Sequence, residues 1–502
     1  MSEHTLNSLQ RELAERFPPV GEVIDLDDFP ARAGRLGVGM ECLDRDLWDP
    51  LPAMPRLKAL GVRRARLQSG WGRTEREKGV YDFSWLDEVV DALVGIGVEP
   101  WLSLSYGNYL YLSPEELPQM ESVLLRLFEN REEFERKRPL LYGLGQKPTG
   151  SPEAMAGWLN YVRATVSRYR GRVRHYEIWN EPDVSVFFPS QCWPEEYREL
   201  VRRTAAVIRE ADPGALVIGG AAGRNATMEE LLRRGIGEDV DILSFHGYHE
   251  YPEKFGINAY RAYRAVLDRH APRLKLWRGE AGFPSANPKG GNGALCHLAP
   301  TEEDQECWLA RNVVNDLAMK ELDFYSYFHL YDFLHFSRKY HYHYGVLRED
   351  YSPKPSYRVL QACAKLLDGD TVPADDLLLT AKSGSEHLQV DTIVRGFQRR
   401  GLPAAAYWLA DGDRGPLRIA EFNFWAVGAP VARHPVVIDL LTRKVHPVPA
   451  AVGSWLKELP VMPYPLILAD FSAFADVVST KCGVPEAKEA AAGASAKQRF
   501  EA

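Results

Sequence analysis

The sequence predicts a (β/α)₈ barrel followed by an antiparallel β-sandwich. Eight short apolar runs begin near residues 36, 62, 98, 173, 215, 241, 274 and 324, and a helical pattern separates each run from the next. Strands that alternate with helices form right-handed parallel crossovers, and eight such units over this length close into a barrel. After residue 370 the chain changes to short alternating runs divided by Gly, Pro and Asp, which is typical of a sandwich.

Each predicted barrel strand ends in a polar loop. The first run, Leu36–Met40, meets Glu41, and the second, Val62–Leu67, leads into a loop that begins at Gln68. The fourth run stops at Asn-Glu-Pro, because proline cannot continue a strand. Apolar spacing and glycine stops predict the connecting helices over 55–60, 85–93, 154–169, 197–210, 228–234, 260–270, 303–320 and 356–367.

An open doubly wound sheet is the alternative fold. It would need a glycine-rich phosphate turn after the first strand. The only early candidate, Gly37-Val38-Gly39, lies inside a predicted strand and does not open a helix. The closed barrel is therefore the preferred prediction.

The predicted organisation has four parts. A helical lead-in covers 1–35, the barrel covers 36–370, the sandwich covers 371–475, and a low-complexity tail covers 476–502. An insert at about 109–150 interrupts the barrel with proline, charged and aromatic residues, and we expect a lid or wall there with a helix near 121–130.

Composition favours a neutral or sugar-like ligand. The 502 residues are 45% hydrophobic and 26% charged, with a net charge of −8 and mixed signs along the chain. That balance argues against a nucleic-acid partner and against an anionic membrane. Twelve Trp, 23 Tyr and 20 Phe supply aromatic faces that pack in cores and against sugar rings.

The six cysteines and the chain's first residues predict an intracellular location. The cysteines are widely spaced without a CxxC pair, which indicates free thiols in a reducing compartment. The first residues are polar and lack the pattern of a secretory signal, and no apolar run is long enough to span a bilayer. We predict a cytoplasmic protein that binds a carbohydrate, not a membrane, and its homo-oligomeric state is left open.

Two carboxylates stand at the predicted mouth of the barrel. The active site of such a barrel lies at the carboxyl ends of its strands. Glu181 ends the fourth predicted strand and Glu280 ends the seventh, each at a sharp turn. Paired carboxylates at one mouth are what glycoside hydrolysis needs, because one protonates the leaving oxygen and the other meets the charge at the anomeric carbon.

Five segments carry a resemblance to a known family. Tyr176-Glu-Ile-Trp-Asn-Glu-Pro-Asp183 and Leu276-Trp-Arg-Gly-Glu-Ala-Gly-Phe-Pro-Ser285 resemble the retaining glycoside hydrolases of clan A. The run 344–357 is similar to that clan's connection between the last strand and the last helix. The sandwich runs 435–442 and 459–467 most resemble glycoside hydrolase family 39, the β-xylosidase and α-L-iduronidase family.

The resemblance implies roles for individual residues. Glu181 would be the acid/base, Glu280 the nucleophile, and Asn180 a donor to the sugar 2-hydroxyl. His246 and Tyr248 would orient or hydrogen-bond the nucleophile. Arg66 and a set of loop residues complete the predicted site: Arg66 would lower the pKa of the nucleophile, and the residues of a sugar-binding wall would be Glu41, Trp71, Tyr106, Asn108, His329 and Tyr331.

We expect no metal and no cofactor. The pairs His246/His249 and His341/His343 have spacings that suggest metal ligands, but no third ligand stands at a convincing distance in sequence. Glycosidic cleavage by two carboxylates needs no metal.

The functional hypothesis is a retaining glycoside hydrolase acting on a xyloside-like or related glycoside. A non-catalytic carbohydrate-binding barrel and a transglycosylase with the same site are the alternatives. Two features depart from the family and leave the sugar open: the run Trp277-Arg278-Gly279 before Glu280, and the insert at 109–150.

Overall fold

A computed structural model describes most of the chain in two compact units. The described residues are 6–24, 34–113, 131–132, 135, 140, 146–185, 187–220, 225–286, 293–334, 341–374, 377–382, 392–410, 417–426, 432–449 and 455–480. One unit spans 26–369, and the other combines 1–25 with 370–502.

The predicted (β/α)₈ barrel is confirmed. Its eight parallel strands are Leu36–Gly39, Arg64–Gln68, Glu99–Leu104, His175–Ile178, Leu216–Gly220, Ile242–His246, Lys275–Ala281 and Phe324–Tyr327. The eighth strand pairs with the first, with Tyr325 opposite Leu36, and this pairing closes the sheet. Every strand is buried over most of its length, as expected for a parallel sheet covered by helices.

The helices that apolar spacing predicts are present in this unit, although several begin earlier, and the short helix Trp71–Thr74 forms where a loop was expected. The longest are Pro152–Tyr169, Trp193–Ala211, Pro252–His270 and Glu302–Leu317. The shorter ones are Met54–Leu60, Trp71–Thr74, Ser84–Gly95, Asn225–Arg233 and Pro355–Leu366. Proline is tolerated in the first helical turn, where its missing N–H has no partner to lose, so these prolines start helices that apolar spacing alone begins later.

Large aromatic side chains fill the interior of the barrel. Trp101, Trp277 and Phe324 pack together there with Ile218 and Ile242, and all five are buried. The ring centroids of Trp101 and Trp277 are 5.2 Å apart, in an edge-to-face arrangement. Such a core supports the strand ends above it by close packing.

Gly279 is small because the interior around it is full. A Cβ at this position would lie 2.3 Å from Ser244 Oγ and 3.1 Å from the Trp101 ring. The glycine of the run Trp277-Arg278-Gly279, which departs from the family pattern, therefore makes room for Ser244 and Trp101.

The second unit contains two antiparallel sheets. The larger has eight strands in the spatial order Thr371–Pro373, Thr392–Arg399, Leu402–Leu409, Leu466–Asp470, Pro435–Asp439, Lys444–Pro447, Gly21–Val23 and Val478–Thr480. The smaller consists of Leu377–Lys382, Arg418–Ala426 and Trp455–Val461. Tyr407 of the larger sheet donates a hydrogen bond to the Pro460 carbonyl of the smaller one, at 2.8 Å.

The N-terminal residues contribute to this second unit. The helix Leu6–Arg16 buries Leu6, Leu9 and Leu13, and the strand Gly21–Val23 pairs with two strands of the larger sheet. Part of the predicted lead-in thus belongs to the same unit as residues from 370 onward.

Some predictions fall on residues outside the described ones. They include the helix near 121–130, most of the predicted lid or wall, and the tail from Lys481. Among the described residues, no helix is long and apolar enough to cross a membrane. The five described cysteines, Cys42, Cys192, Cys296, Cys307 and Cys363, are free thiols.

Candidate active site

The end of the fourth barrel strand turns sharply. Trp179 and Glu181 have φ values of 69° and 46°, in the left-handed region that residues with a Cβ seldom adopt. Packing holds this turn, because Trp179 is fully buried, its N–H donates to Leu104 O at 2.9 Å and its indole donates to Phe187 O at 3.2 Å. Strained backbone of this kind persists only where the surroundings enforce it. The turn aims Asn180 and Glu181 into the mouth of the barrel.

Arg66, on the second strand, links residues from four strands. The fully buried guanidinium donates from Nε to Glu177 Oε2 at 2.8 Å and from Nη2 to Asn180 Oδ1 at 2.8 Å. Its Nη1 donates to Glu41 Oε1 at 3.0 Å and to Glu280 Oε2 at 2.9 Å. Burial lowers the pKa of Arg66, but the surrounding carboxylates raise it well above the usual value, so the side chain stays a cation.

Glu280 is held as a charged carboxylate. It is the penultimate residue of the seventh strand, its side chain is 12% exposed, and Tyr248 donates to its Oε1 at 2.5 Å. Burial raises the pKa of Glu280, but His246, Arg66 and the bond from Tyr248 outweigh burial and keep the pKa below its ordinary value. A low pKa keeps a nucleophilic carboxylate ionised near neutrality.

His246 lies between the two carboxylates. Its Nδ1 is 2.9 Å from Glu181 Oε1 and 3.5 Å from Glu280 Oε2. Burial lowers the pKa of His246, and the two glutamates raise it above its ordinary value. Glu181 is 21% exposed and is the more accessible of the pair. In the cluster, two partly exposed carboxylates therefore lie around one imidazole, and Glu181 is the more exposed of the two.

Asn180 is fixed by two neighbours. While its Oδ1 accepts from Arg66, its Nδ2 donates to the Tyr106 hydroxyl at 2.9 Å. Tyr106 is buried and stacks against Phe187, with ring centroids 5.5 Å apart. These two bonds fix the orientation of the buried Asn180 amide.

Glu41 and His329 lie beneath the cluster, not on its wall. Glu41 is 2% exposed and its Oε2 is 3.5 Å from His329 Nε2. His329 is fully buried. Its Nδ1 lies 2.8 Å from Tyr331 O and 3.1 Å from Tyr331 N, and its Nε2 lies 3.2 Å from Glu41 O. Burial lowers the pKa of His329 to about 4, which keeps the ring neutral near pH 7.

Three of the predicted wall residues lie outside the contacts of the cluster. Trp71 is fully buried, stacks on Tyr111 and donates to Glu75, which corrects the expectation that its face meets a sugar. Asn108 is also buried and donates to Glu75 O at 2.8 Å, so it fixes a loop. Tyr331 stacks on Trp48 at 4.9 Å and donates to the Glu349 carbonyl. All three side chains stabilise the loops around the site.

Glu177 is a site residue that sequence reasoning missed. It is fully buried on the fourth strand and bonded to Arg66, while its Oε1 has no hydrogen-bond partner among the described residues. The available signal was its position: a charged residue inside a buried parallel strand needs a buried partner of opposite charge. It was overlooked because it sits within the motif that draws attention to Glu181.

Glu181, His246 and Glu280 also form the one described group with the spacing of metal ligands. One oxygen or nitrogen from each lies within 4.8 Å of the others. Arg66 already donates to Glu280, however, and a permanent cation on that carboxylate competes with a metal ion for it. The donor set fits acid–base chemistry better than metal binding.

Comparisons with known proteins give a likeness of family and fold. Residues 149–392 match the sequence model of the family described as glycosyl hydrolases family 39. The chain is most like glycoside hydrolase family 39. It is 24% identical over 314 residues to a β-xylosidase from Caldicellulosiruptor saccharolyticus, and the alignment covers 58% of each protein. The family match and this relative support a glycosidase.

Solved structures share the fold. A family 39 glycoside hydrolase from Bacteroides cellulosilyticus WH2 superposes with a TM-score of 0.61 at 19% identity, covering 89% of this chain and 82% of the other. A monomeric β-xylosidase from Caulobacter crescentus CB15 gives 0.55 at 16% identity, covering 90% and 97%. The family 39 likeness in fold thus extends over both units of the chain, beyond the matched residues 149–392.

Proposed function

We propose that this chain is a retaining glycoside hydrolase that cleaves by double displacement. Glu280 attacks the anomeric carbon while Glu181 gives its proton to the departing glycosidic oxygen, so that a glycosyl ester forms on Glu280 and the aglycone leaves. Glu181 then takes a proton from water, and the water oxygen displaces Glu280 from the sugar. The two inversions together retain the configuration at the anomeric carbon.

One observation carries the proposal: carboxylate oxygens of Glu181 and Glu280 lie within 4.8 Å of each other. Retaining enzymes keep their carboxyl groups about 5 to 5.5 Å apart, whereas inverting enzymes leave roughly 6.5 to 9.5 Å for a water molecule. One oxygen of each carboxylate thus lies closer to the other than the inverting range, which supports attack by Glu280 itself.

The surroundings support different roles for the two glutamates. Glu280 receives hydrogen bonds from Arg66 and Tyr248, which favour the ionised form that a nucleophile requires. Glu181 contacts only His246 among these groups and is more exposed, so it can reach both a leaving group and water.

We propose a β-xyloside-like glycoside as the substrate. One support is the β-xylosidase relative. The other is the site itself: its polar groups suit sugar hydroxyls, and its cation, Arg66, is already neutralised by carboxylates. Asn180, beside the acid, is placed to donate to a sugar hydroxyl, a bond that strengthens in the transition state of such reactions.

The test of this proposal uses two substitutions and a panel of aryl glycosides that spans pentoses, hexoses and uronic acids. Glu280→Ala should abolish turnover of every glycoside that the parent cleaves. Glu181→Ala should lose about 10²- to 10⁴-fold on poor leaving groups and little on activated ones, which need no proton. Glu99→Ala, a change to a half-exposed carboxylate at the opposite end of a strand, should leave both rates unchanged.

The outcomes separate the alternatives. Product of inverted configuration, followed by nuclear magnetic resonance, would overturn the retaining mechanism. Equal losses on both leaving-group types would remove Glu181 from the acid role. Sugar binding without turnover by the parent protein would instead support a carbohydrate-binding barrel, and products that carry an added acceptor would support a transglycosylase.

A further inference from the structure

Glu41 is a buried carboxylate beneath the cluster, and the mechanism above does not use it. It follows the first strand and shares one nitrogen of Arg66 with Glu280: Nη1 is 3.0 Å from Glu41 Oε1 and 2.9 Å from Glu280 Oε2. Arg66 also serves Glu177, so one guanidinium faces three carboxylates. Three ionised carboxylates would leave an uncompensated charge in a buried site, and this is costly.

The other oxygen of Glu41 lies where a charge is least favoured. Glu41 Oε2 is buried and makes no hydrogen bond to any described residue. It faces Gly39, where an added Cβ would approach it to 2.2 Å. The nearest ring is that of His329, whose Nε2 is 3.5 Å away, and burial lowers the pKa of this histidine so that it brings no positive charge to the oxygen. An unpaired oxygen in this place fits a protonated carboxyl group better than an anion.

We infer that Glu41 is a proton-carrying positioning residue for Glu280. In its neutral form Glu41 accepts a hydrogen bond from Arg66 but carries no charge. The positive charge of Arg66 is then shared by Glu280 and Glu177 alone. Glu41 also fills the space against Gly39 and so fixes Arg66 in the plane where it reaches Glu280. It contacts the nucleophile only through Arg66 and offers no surface to a sugar.

The electrostatic surroundings agree with this role. Burial raises the pKa of Glu41 from 4.5 to about 7, Arg66 lowers it and Glu280 raises it. The charged or titratable groups around Glu41 come from five elements, and they are Cys42, Arg66, Glu177, Glu280 and His329. Arg66 is the one cation among them at neutral pH, and it is shared with Glu177 and Glu280.

The decisive experiment compares the thermal stability of the parent with that of Glu41→Gln as a function of pH. Glutamine has the shape of the protonated acid and never ionises. In the unfolded chain Glu41 ionises above its ordinary pKa near 4.5, whereas the folded protein holds the proton until about pH 7. As the pH rises from 4.5 to about 7, the parent should therefore lose stability relative to Glu41→Gln. Above that range the difference in stability should stay constant.

Three results would bear on the inference. A stability difference that does not change with pH would overturn it, and so would the absence of infrared absorption from a protonated carboxyl group in the parent near pH 6, at about the midpoint of that window. Glu99→Gln serves as the control and should show no difference that grows over this range. These measurements need no glycoside, so they stand apart from the proposed activity.

Activity supplies a second readout, which rests on the proposed function. Glu41→Gln should retain kcat and KM below pH 7, because the amide reproduces the neutral acid. Glu41→Ala should lower kcat with little change in KM, since Arg66 loses its support while the sugar contacts remain. A large rise of KM in Glu41→Gln would instead make Glu41 a sugar contact and overturn the positioning role.

Discussion

At the scale of single residues, the site depends on how hydrogen-bond donors are divided between two glutamates. Arg66 and Tyr248 donate to Glu280, and neither donates to Glu181. The two glutamates thus have different electrostatic surroundings, which is the arrangement expected where one site needs two carboxylates in different roles. The hydroxyl of Tyr248 is the contact that can be removed with the least disturbance of shape.

We predict that Tyr248→Phe shifts the acidic limb of the pH profile of kcat/KM to higher pH. The hydrogen bond from Tyr248 lowers the pKa of Glu280, so its loss raises that pKa and Glu280 becomes protonated at a higher pH. A hydrogen bond to a charged group contributes about 1.5 to 3 kcal/mol, which corresponds to roughly 10- to 150-fold in rate if it is fully lost. The pH profile on the best aryl glycoside measures the shift.

Tyr161→Phe is the matched control for this substitution. The Tyr161 hydroxyl is also inside the barrel unit, on a fully buried side chain, but it donates to Ser69 and does not contact Glu280. Its removal should leave the acidic limb in place. An unchanged limb in Tyr248→Phe would show that Tyr248 does not set the charge of the nucleophile.

At the scale of secondary structure elements, one buried ion pair connects three parts of the barrel. Arg278 of the seventh strand pairs with Asp316 of the helix Glu302–Leu317, and both are fully buried. The same guanidinium donates to the carbonyl of Gly247, between His246 and Tyr248. The turn that carries His246 and Tyr248 is therefore anchored from behind by a strand and a helix.

We predict that Arg278→Met destabilises the protein by about 3 to 5 kcal/mol, because Asp316 is left buried without its cation. The double variant Arg278→Met/Asp316→Leu should recover much of this loss, since no unpaired charge remains. Urea unfolding of both variants and of Asp316→Leu gives the coupling free energy. A double variant no more stable than Arg278→Met would show that the ion pair is not the source of the effect.

At the scale of the whole molecule, the periodic parts of the sequence carry the fold. Eight strands and their helices follow from apolar spacing, and Glu181 and Glu280 follow from the rule that barrel strands end at the active site. The sheet contact of Gly21–Val23 could not be predicted, because a three-residue strand has no periodic pattern and its partners lie more than 400 residues away. Glu177 and the buried position of Trp71 depend on tertiary packing, which spacing does not encode.

The noncontiguous second unit leads to a prediction about its N-terminal helix. Leu13 is fully buried on the helix Leu6–Arg16, so Leu13→Ala should destabilise this unit by about 2 to 5 kcal/mol. Glu15→Ala, on the exposed face of the same helix, should change stability by less than about 0.5 kcal/mol. Calorimetry and limited proteolysis with identification of the first cleaved segment measure both variants. Equal effects would mean that the helix does not stabilise the unit.

The shared guanidinium of Arg66 has a consequence for the history of this site. Three of its nitrogens satisfy acceptors from the first, fourth and seventh strands, and a lysine with a single nitrogen could not replace them. A lineage that loses this arginine loses the neutralising partner of several glutamates at once. We therefore expect these positions to change together in evolution: related sequences should keep Arg66 with its acidic partners, or lack all of them.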